Sequence, residues 1–118
     1  MDNITGLAYG RIAVGALSLL SPQLAARMFL LNPKANPQMS LITRMFGSRE
    51  IVLGGLTLAA SGAARRQLVQ IGVAVDSADI ATGLIGTVNG SVPKPAGLVL
   101  TAVAAGAVAT GVMELQAG

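Results

Sequence analysis

Five charged residues lie within stretches that are otherwise apolar, and they are the side chains through which this sequence could do chemistry. They are Arg11, Arg49, Glu50, Asp76 and Asp79. A carboxyl group that is shielded from water has a shifted pKa and can act as a general acid or base. An arginine beside it can hold an anionic group. These five residues are therefore the candidates for a catalytic or binding role.

Three of the stretches repeat one local pattern, in which a charged residue precedes isoleucine and a glycine follows four residues after the charge. The stretches are RIAVG (11–15), EIVLG (50–54) and DIATG (79–83). Because positions i and i+4 share a helix face, each charge points the same way as a small residue. Membrane helices pack by faces of small residues, so the charged faces are predicted to be the packed ones. The glycines predicted to mediate this packing are Gly6, Gly10, Gly15, Gly54 and Gly83.

The composition indicates that these stretches lie in a membrane. Hydrophobic residues make up 53% of the 118 residues and charged residues only 11%. A typical soluble domain has about a quarter of its residues charged. The mean hydropathy is +0.68. So few charges cannot cover the surface of a soluble protein of this size, and the lipid bilayer is the predicted solvent.

The same composition excludes several other classes of protein. The net charge is only +3, Arg65 and Arg66 are the one adjacent pair of cations, and three aromatic residues offer no stacking platform. Nucleic acid is therefore not expected as a partner. The chain has no cysteine and no histidine, which excludes disulfides, Cys/His metal sites and catalysis by either side chain. No metal and no cofactor is predicted.

The predicted fold is an all-α, polytopic membrane protein: a four-transmembrane-helix bundle that forms a single domain over residues 1–118. The predicted spans are residues 4–20, 46–63, 67–88 and 96–115. Backbone N–H and C=O groups must pair internally in lipid, so each span is expected to be a helix of about 20 residues. Between spans one and two, residues 24–31 are predicted to form a short interfacial helix.

Helix geometry predicts which charges meet. At about 1.5 Å per residue, Arg11 lies roughly 10 Å and Asp76 roughly 14 Å inside the same membrane face, which predicts a pair between them. Asp79 lies deeper, toward Arg49 and Glu50. A surplus carboxylate in a dry interior is expected to be protonated, and Asp79 is the candidate. The cluster is either a structural polar network or a site that handles protons or binds the polar head of a lipophilic molecule.

The segments that carry these charges are YGRIAVGALSLLSP in span one, FGSREIVLGGLTL in span two and VDSADIATG in span three. In these segments the sequence resembles the small four-helix bacterial membrane proteins of the DoxX-like group and neighbouring uncharacterised families. Such proteins show an arginine in helix one, a Gly-x-Arg-Asp/Glu start to helix two and acidic residues in helix three. The resemblance covers most of residues 6–86 and implies a four-helix bundle in the bacterial inner (plasma) membrane. It implies no reaction.

Two hypotheses for the function follow from these features. The first is a small accessory or interaction protein that packs by its small-residue helix faces, as a subunit of a larger membrane complex or as a homo-oligomer. The alternative is a membrane enzyme or carrier for a lipophilic compound. In that case Asp76 or Asp79 is the acid or base, and Arg11 or Arg49 is the partner of an anionic group.

Overall fold

The structure, a computed structural model that describes residues 2–117, consists of five α-helices joined by loops. The helices are α1 (Asn3–Leu20), α2 (Pro22–Met28), α3 (Met39–Ala59), α4 (Gly62–Asn89) and α5 (Lys94–Ala117). Among residues 2–117 there is no β-strand, so the all-α prediction is confirmed. Met1 and Gly118, the two ends of the predicted domain, lie outside the described residues.

The largest difference from the predicted spans concerns α3. It covers Met39–Ala59, whereas the sequence predicts a span at residues 46–63. The helix ends earlier because Ala60 has an extended backbone and Gly62 has a left-handed φ of 58°. Glycine adopts a positive φ at little cost, so the chain can reverse direction at this point. As a result α4 begins directly after the turn, ahead of the predicted start of span three.

A short helix also forms in the connection between α1 and α3, but it begins and ends earlier than predicted. α2 covers Pro22–Met28 rather than residues 24–31. Proline suits the first turn of a helix, where its missing N–H costs no hydrogen bond. Beyond the end of the helix, Leu30 takes a positive φ of 63°. Ala25 and Ala26 are buried where α2 meets α1 and α3, so this helix packs on the bundle.

Three of the described helices, α1, α4 and α5, are long and apolar enough to cross a membrane. α3 has 21 residues, but it carries Arg44, Arg49 and Glu50, and its composition alone does not identify it as a span. The molecule measures 44 Å along its longest axis. A bilayer with its headgroup regions is about 40–45 Å thick. These features are compatible with a multi-pass membrane protein.

The four long helices form two pairs. α1 packs along α3, and α4 packs along α5, whereas the contacts of α3 with α4 and of α1 with α5 are far fewer. Successive long helices run in opposite directions, so each pair is antiparallel. We refer to α1 and α3 as the first pair, to α4 and α5 as the second pair, and to the region where α1 faces α5 and α3 faces α4 as the seam.

Small residues fill the interior of the bundle, and large apolar side chains point outward. The buried residues of α1 recur every three or four positions, which marks one face of the helix. They are Ile4, Ala8, Arg11, Gly15 and Ser18. Large apolar residues on the outside of the long helices include Val52, Leu56, Ile71, Leu84 and Leu98. A soluble protein buries most side chains of this kind, and their outward position is the distribution expected for helices in lipid.

Glycines bring the backbones of the first pair into contact. A Cβ atom added at Gly15 would lie 2.6 Å from the carbonyl oxygen of Gly47, and one added at Gly47 would lie 2.7 Å from that of Gly15. A Cβ atom added at Gly54 would lie 2.6 Å from the carbonyl oxygen of Ala8. These distances leave no room for a side chain, so the close approach of α1 and α3 requires glycine at these positions.

Contacts between glycine and threonine close the second pair. Gly83 on α4 faces Thr101 on α5, and Gly97 on α5 faces Thr87 on α4. The hydroxyl of Thr87 donates a hydrogen bond of 2.6 Å to the carbonyl oxygen of Gly83. The threonine therefore fills space against the opposite helix while its polar group bonds to its own helix.

One of the glycines predicted to mediate packing does not lie at such a contact. Gly15, Gly54 and Gly83 do, but a Cβ atom added at Gly10 would meet nothing within 4 Å. Gly10 instead lines a cavity in the seam, and Gly6 is also among the lining residues. The small-residue stripe of α1 therefore extends beyond the face that α3 covers.

Candidate functional site

The five charged residues singled out in the sequence come together in one network, which starts at Arg11 on α1. Arg11 is buried, and its guanidinium donates hydrogen bonds to carboxylates on two other helices. Nη1 donates to Oε2 of Glu50 at 2.9 Å and to Oδ1 of Asp76 at 3.1 Å, and Nη2 donates to Oδ2 of Asp76. The two parallel bonds to Asp76 form the bidentate geometry that gives arginine–carboxylate pairs their strength.

Arg49 on α3 forms a second bidentate pair, with Asp79 on α4. Nη1 donates to Oδ1 of Asp79 at 3.2 Å, and Nη2 donates to Oδ2 at 2.8 Å. Nη2 also donates to Oε1 of Glu50 at 3.1 Å. Glu50 therefore bridges the two arginine–aspartate pairs. Because the bonds run between α1, α3 and α4, the network ties the first helix pair to the second across the seam.

The spacing of residues along α4 explains how the arginines reach their partners. Asp76 and Asp79 are about one helical turn apart, so both side chains face the first pair at successive levels. Gly72, one turn before Asp76, leaves space for the arginine of α1. A Cβ atom added at Gly72 would lie 3.1 Å from Nη2 of Arg11. A small residue beside the carboxylate is thus what admits the guanidinium.

Burial divides the network into a dry end and an open end. The side chains of Arg11, Glu50 and Asp76 are only 9%, 6% and 5% exposed. Those of Arg49 and Asp79 are 35% and 34% exposed. A buried charge without a partner costs several kcal/mol, so the dry end must remain paired. The open end can interact with a molecule beside it.

The surplus negative charge is placed differently from the prediction. Two arginines and three carboxylates give the network a formal charge of −1. The sequence names Asp79 as the candidate for a surplus, protonated carboxyl, but Asp79 is paired with Arg49, which also donates to Glu50. Glu50 is the carboxylate that two arginines share. The surplus charge thus belongs to the network as a whole and is not confined to Asp79.

An aromatic ring helps to hold the open end in place. The guanidinium carbon of Arg49 lies 5.0 Å from the centroid of the Phe46 ring, within the range of a cation–π interaction. Nε of Arg49 is buried, and no hydrogen-bond acceptor among the described residues meets it. Arg49 is therefore held by its two terminal nitrogens and by the ring, and this arrangement fixes the position of Asp79.

A cavity of about 1040 Å³ lies in the seam, and the network forms part of its wall. All four long helices contribute to the lining, mostly with small or apolar side chains such as Val14, Ile42 and Val103. Of the described residues that line the cavity, the charged ones are the five of the network. The cavity is therefore an open, largely apolar groove with one charged wall, and lining residues such as Ile42 and Val103 remain more than half exposed.

A second ion-pair cluster lies at the end of the bundle where α1 begins and α5 ends. Nη2 of Arg65 donates to Oδ1 of Asp2 at 2.9 Å, and its Nη1 donates to Oε1 of Glu114 at 3.5 Å. Asp2 also caps α1, because its Oδ1 accepts a bond of 2.7 Å from the backbone N–H of Thr5. The hydrogen bonds from the backbone and side chain of Thr5, and then Arg65, lower the pKa of Asp2 below its ordinary value. These residues are not among those that line the cavity.

Two glycines that shape the network do not belong to the pattern found in the sequence. Gly47 shares a helix face with Glu50, three positions later, and it meets the backbone of α1. Gly72 stands four residues before Asp76, so the charge and the glycine occur in the reverse order. A search for small residues on either side of each charge would have found both. The cavity has no such signal, since it depends on how the two helix pairs meet.

Comparison of the chain with protein-family models, with curated proteins and with solved structures finds no match. What the chain does must therefore be inferred from the chemistry of the site. In residues 2–117, no group of acidic side chains is arranged so that it could hold a metal ion. A largely apolar cavity with a charged wall can hold a molecule that has an apolar body and a polar head. A carboxylate at that wall can exchange a proton with the head.

Proposed function

We propose that the chain is a bacterial plasma-membrane protein whose four long helices all cross the bilayer, and that it binds a lipophilic molecule with a polar head in the cavity of the seam. Such a protein is a carrier or an enzyme for that molecule. The observation that carries the proposal is the cavity of about 1040 Å³ with Arg49 and Asp79 at its wall. Ligand sites are typically apolar clefts of about 300–1,000 Å³ in which a few polar groups fix the orientation.

The orientation of α3 supports a fourth span. Its charged residues Arg49 and Glu50 turn toward the network, where both are paired, while Val52 and Leu56 are exposed on the outside. A charge is tolerated within a membrane when it faces the bundle interior and has a partner. The 21 residues of α3 give a length of roughly 31 Å, which suffices for the hydrocarbon core.

The hydroxyl groups of the long helices support the same location. Thr57 donates to the carbonyl oxygen of Leu53 at 2.7 Å, and Thr110 donates to that of Gly106 at 2.9 Å. A hydroxyl that bonds to its own helix leaves no unsatisfied donor in lipid. We expect the protein to remain in the membrane fraction on alkaline extraction and to require detergent for release. Recovery in the soluble fraction without detergent would contradict this location.

The resemblance to the DoxX-like group supports the bacterial plasma membrane in particular. The three segments that carry the resemblance supply all five charged residues of the network. These segments therefore supply the polar wall of the cavity. Span four contributes mainly apolar lining, such as Leu100 and Val103.

Asp79 is the residue proposed to act on the bound molecule. It is the carboxylate of the network with substantial exposure, and it lies at the cavity wall. It can therefore give a proton to the ligand head or take one from it. Arg49 orients Asp79 through its two hydrogen bonds. Arg11, Glu50 and Asp76 are positioning residues, because they hold Arg49 and α4 in place from the dry end.

The test of the proposal fills the cavity without disturbing the helix contacts. A Cβ atom at Gly10 or at Gly55 would meet nothing within 4 Å, but only Gly10 is among the residues lining the cavity. Gly10→Phe should therefore occupy the cavity, and Gly55→Phe is its matched control on the outer surface. Native mass spectrometry of protein purified from membranes should show a lipophilic small molecule bound to the parent and to Gly55→Phe, and much less bound to Gly10→Phe. Equal occupancy in all three proteins, or none in the parent, would overturn the proposal.

A second candidate function is that of an accessory subunit or a homo-oligomer. The observation that favours it is a strip of small, exposed residues on the outer face of α5, formed by Ala102, Ala105 and Ala109, none of which lines the cavity. Small residues let another helix approach closely in lipid. Because the chain has no cysteine, Ala105→Cys introduces a single thiol on this strip. Oxidation in membranes should then give a disulfide-linked dimer if α5 faces a second copy, and Gly55→Cys should not. A larger complex would instead be revealed by copurification.

A further inference from the structure

We propose that the molecule bound in the seam cavity is an amphiphilic monocation, such as a protonated lipophilic amine, whose positive head lies against Asp79. This inference rests on the proposed function, since it names the class of ligand for the same cavity. Three observations support it: the formal charge of the cavity wall, the exposure of Asp79 and the apolar character of the remaining lining.

The negative charge of the cavity wall favours a positively charged ligand. The charged residues that line the cavity, among those described, are two arginines and three carboxylates, with a formal sum of −1. The two terminal nitrogens of Arg11 and the two of Arg49 already donate to carboxylates. A bound cation would neutralise the surplus charge, whereas an anion would add a second uncompensated charge to a site of low dielectric constant.

The exposure of the three carboxylates identifies Asp79 as the residue that contacts the ligand. Asp79 has 34% of its side chain exposed, compared with 6% for Glu50 and 5% for Asp76. A carboxylate offers about four lone-pair positions, and Arg49 uses one on each oxygen of Asp79. Asp79 therefore keeps acceptor capacity on its exposed side, and a cationic N–H donor from the cavity can use it.

The remaining lining of the cavity is apolar, and it favours a ligand with an apolar body. Ile42, Leu100 and Val103 present apolar side chains to the cavity, and these would bury the hydrocarbon part of an amphiphile at about 25 cal/mol per Å². A small hydrated cation would gain nothing from them. The ligand should therefore combine one positive charge with an extended or bulky apolar body.

The experiment compares two probes of the same shape and opposite charge, tetraphenylphosphonium and tetraphenylborate. Equilibrium dialysis with protein in neutral detergent micelles, corrected for empty micelles, should show at least about tenfold tighter binding of the cation to the protein. Tighter or equal binding of the anion would overturn the inference while leaving a lipophilic site in place. Failure of both probes to bind, together with no ligand in the native mass spectrum, would overturn the proposed function as well.

The role of Asp79 is tested with a matched carboxylate outside the cavity. Asp79→Asn keeps the shape and removes the charge, and it should weaken tetraphenylphosphonium binding on the order of tenfold with little effect on tetraphenylborate. Glu114→Gln removes a carboxylate of similar exposure, 37%, that does not line the cavity, and it should bind both probes as the parent does. Equal losses of cation binding in the two variants would contradict a contact at Asp79. If Asp79→Asn does not fold, the comparison of the two probes on the parent still decides the sign of the ligand.

Discussion

The interior of each helix pair and the seam between the pairs are built in different ways. Inside the first pair, the backbones of α1 and α3 touch at Gly15 and Gly47, with no space for a single carbon. Across the seam the helices make few contacts, and a network of five charged side chains and a cavity of about 1040 Å³ take their place. The helices of each pair are held together by close packing, and the two pairs are joined across the seam by ion pairs.

This difference shows how a small helical chain can keep an open space between its helices without losing its structure. In lipid, helices gain little from the hydrophobic effect, so close packing of small residues supplies most of the association within a pair. A contact of that kind leaves no space. Ion pairs act at discrete points, so the seam can be fixed at the level of Arg11 and Arg49 and remain open elsewhere. Close packing within the pairs and ion pairs across the seam thus both hold the bundle together, and only the seam leaves an open space.

The largest effect is expected from breaking the dry end of the seam. Asp76→Ala removes the bidentate partner of Arg11, which is 9% exposed. Loss of one partner of a buried pair typically costs about 3–5 kcal/mol. Arg11 would keep only Glu50, a carboxylate that Arg49 also uses. We expect a loss of that size in the free energy of unfolding, measured by denaturant titration in detergent. The double variant with Arg11→Leu should recover part of the loss. A single variant as stable as the parent would show that the seam does not depend on this pair.

The control for that prediction is the same change at the open end. Asp79→Ala removes an aspartate that is about one-third exposed and equally bidentate. Its partner Arg49 is 35% exposed, compared with 9% for Arg11, so the charge left behind is less buried and this variant should be clearly more stable than Asp76→Ala. If both variants lose the same free energy of unfolding, the division into a dry end and an open end is wrong.

A smaller loss in the free energy of unfolding is expected when a side chain is added between the helices of the first pair. Gly15→Ala adds a Cβ atom that would lie 2.6 Å from the carbonyl oxygen of Gly47, so α1 and α3 must move apart. Overpacking of this kind costs about 1–3 kcal/mol. Gly10→Ala on the same helix meets nothing within 4 Å and should stay within about 1 kcal/mol of the parent, since alanine is the better helix former. The measurement is again unfolding in detergent, and equal behaviour of the two alanine variants would contradict backbone contact as the basis of the pair.

The elements with a local signal could be predicted from the sequence. Helices follow from long apolar stretches, and the all-α fold was accordingly predicted. The candidate residues could be identified because a charge within an apolar helix is costly, so it must have a partner or a function. The depth of Arg11 and Asp76 along their helices also predicted that these two side chains would be near each other, since helix rise is constant.

The elements that depend on how helices meet could not be predicted. The sequence does not show that Glu50 is shared by two arginines, because adjacent residues on a helix normally face different ways. The start of α3 at Met39 was missed because the first turns of the helix contain Ser40, Thr43 and Arg44, polar residues that a search for apolar spans leaves out. The cavity depends on the distance between the two pairs, and no residue type or spacing records that distance.

The smallest effect is expected at the outer end of the seam, and it should depend on pH. Asp2 joins α1 to Arg65 of α4, and its pKa is lowered from 3.8 by the hydrogen bonds from Thr5 and by Arg65. The folded state therefore binds a proton on Asp2 less readily than the unfolded state does. The stability contributed by Asp2 is fully present above the unfolded pKa and is lost as the pH falls through the folded pKa.

The measurement that follows is the difference in melting temperature between the parent and Asp2→Ala, taken in detergent at pH 7 and again at pH 3. Carboxylates elsewhere titrate equally in both proteins, so their contribution cancels in the difference. We expect the parent to melt higher at pH 7 and the gap to shrink at pH 3, because the stability that Asp2 contributes begins to be lost as the pH falls below the unfolded pKa of 3.8. Asp2→Asn should show a smaller gap at pH 7 than Asp2→Ala does, because asparagine also caps helices well. A gap that stays constant between the two pH values would show that the charge of Asp2 does not hold the end of the seam, and that the ion network around Arg11 and Arg49 joins the pairs alone.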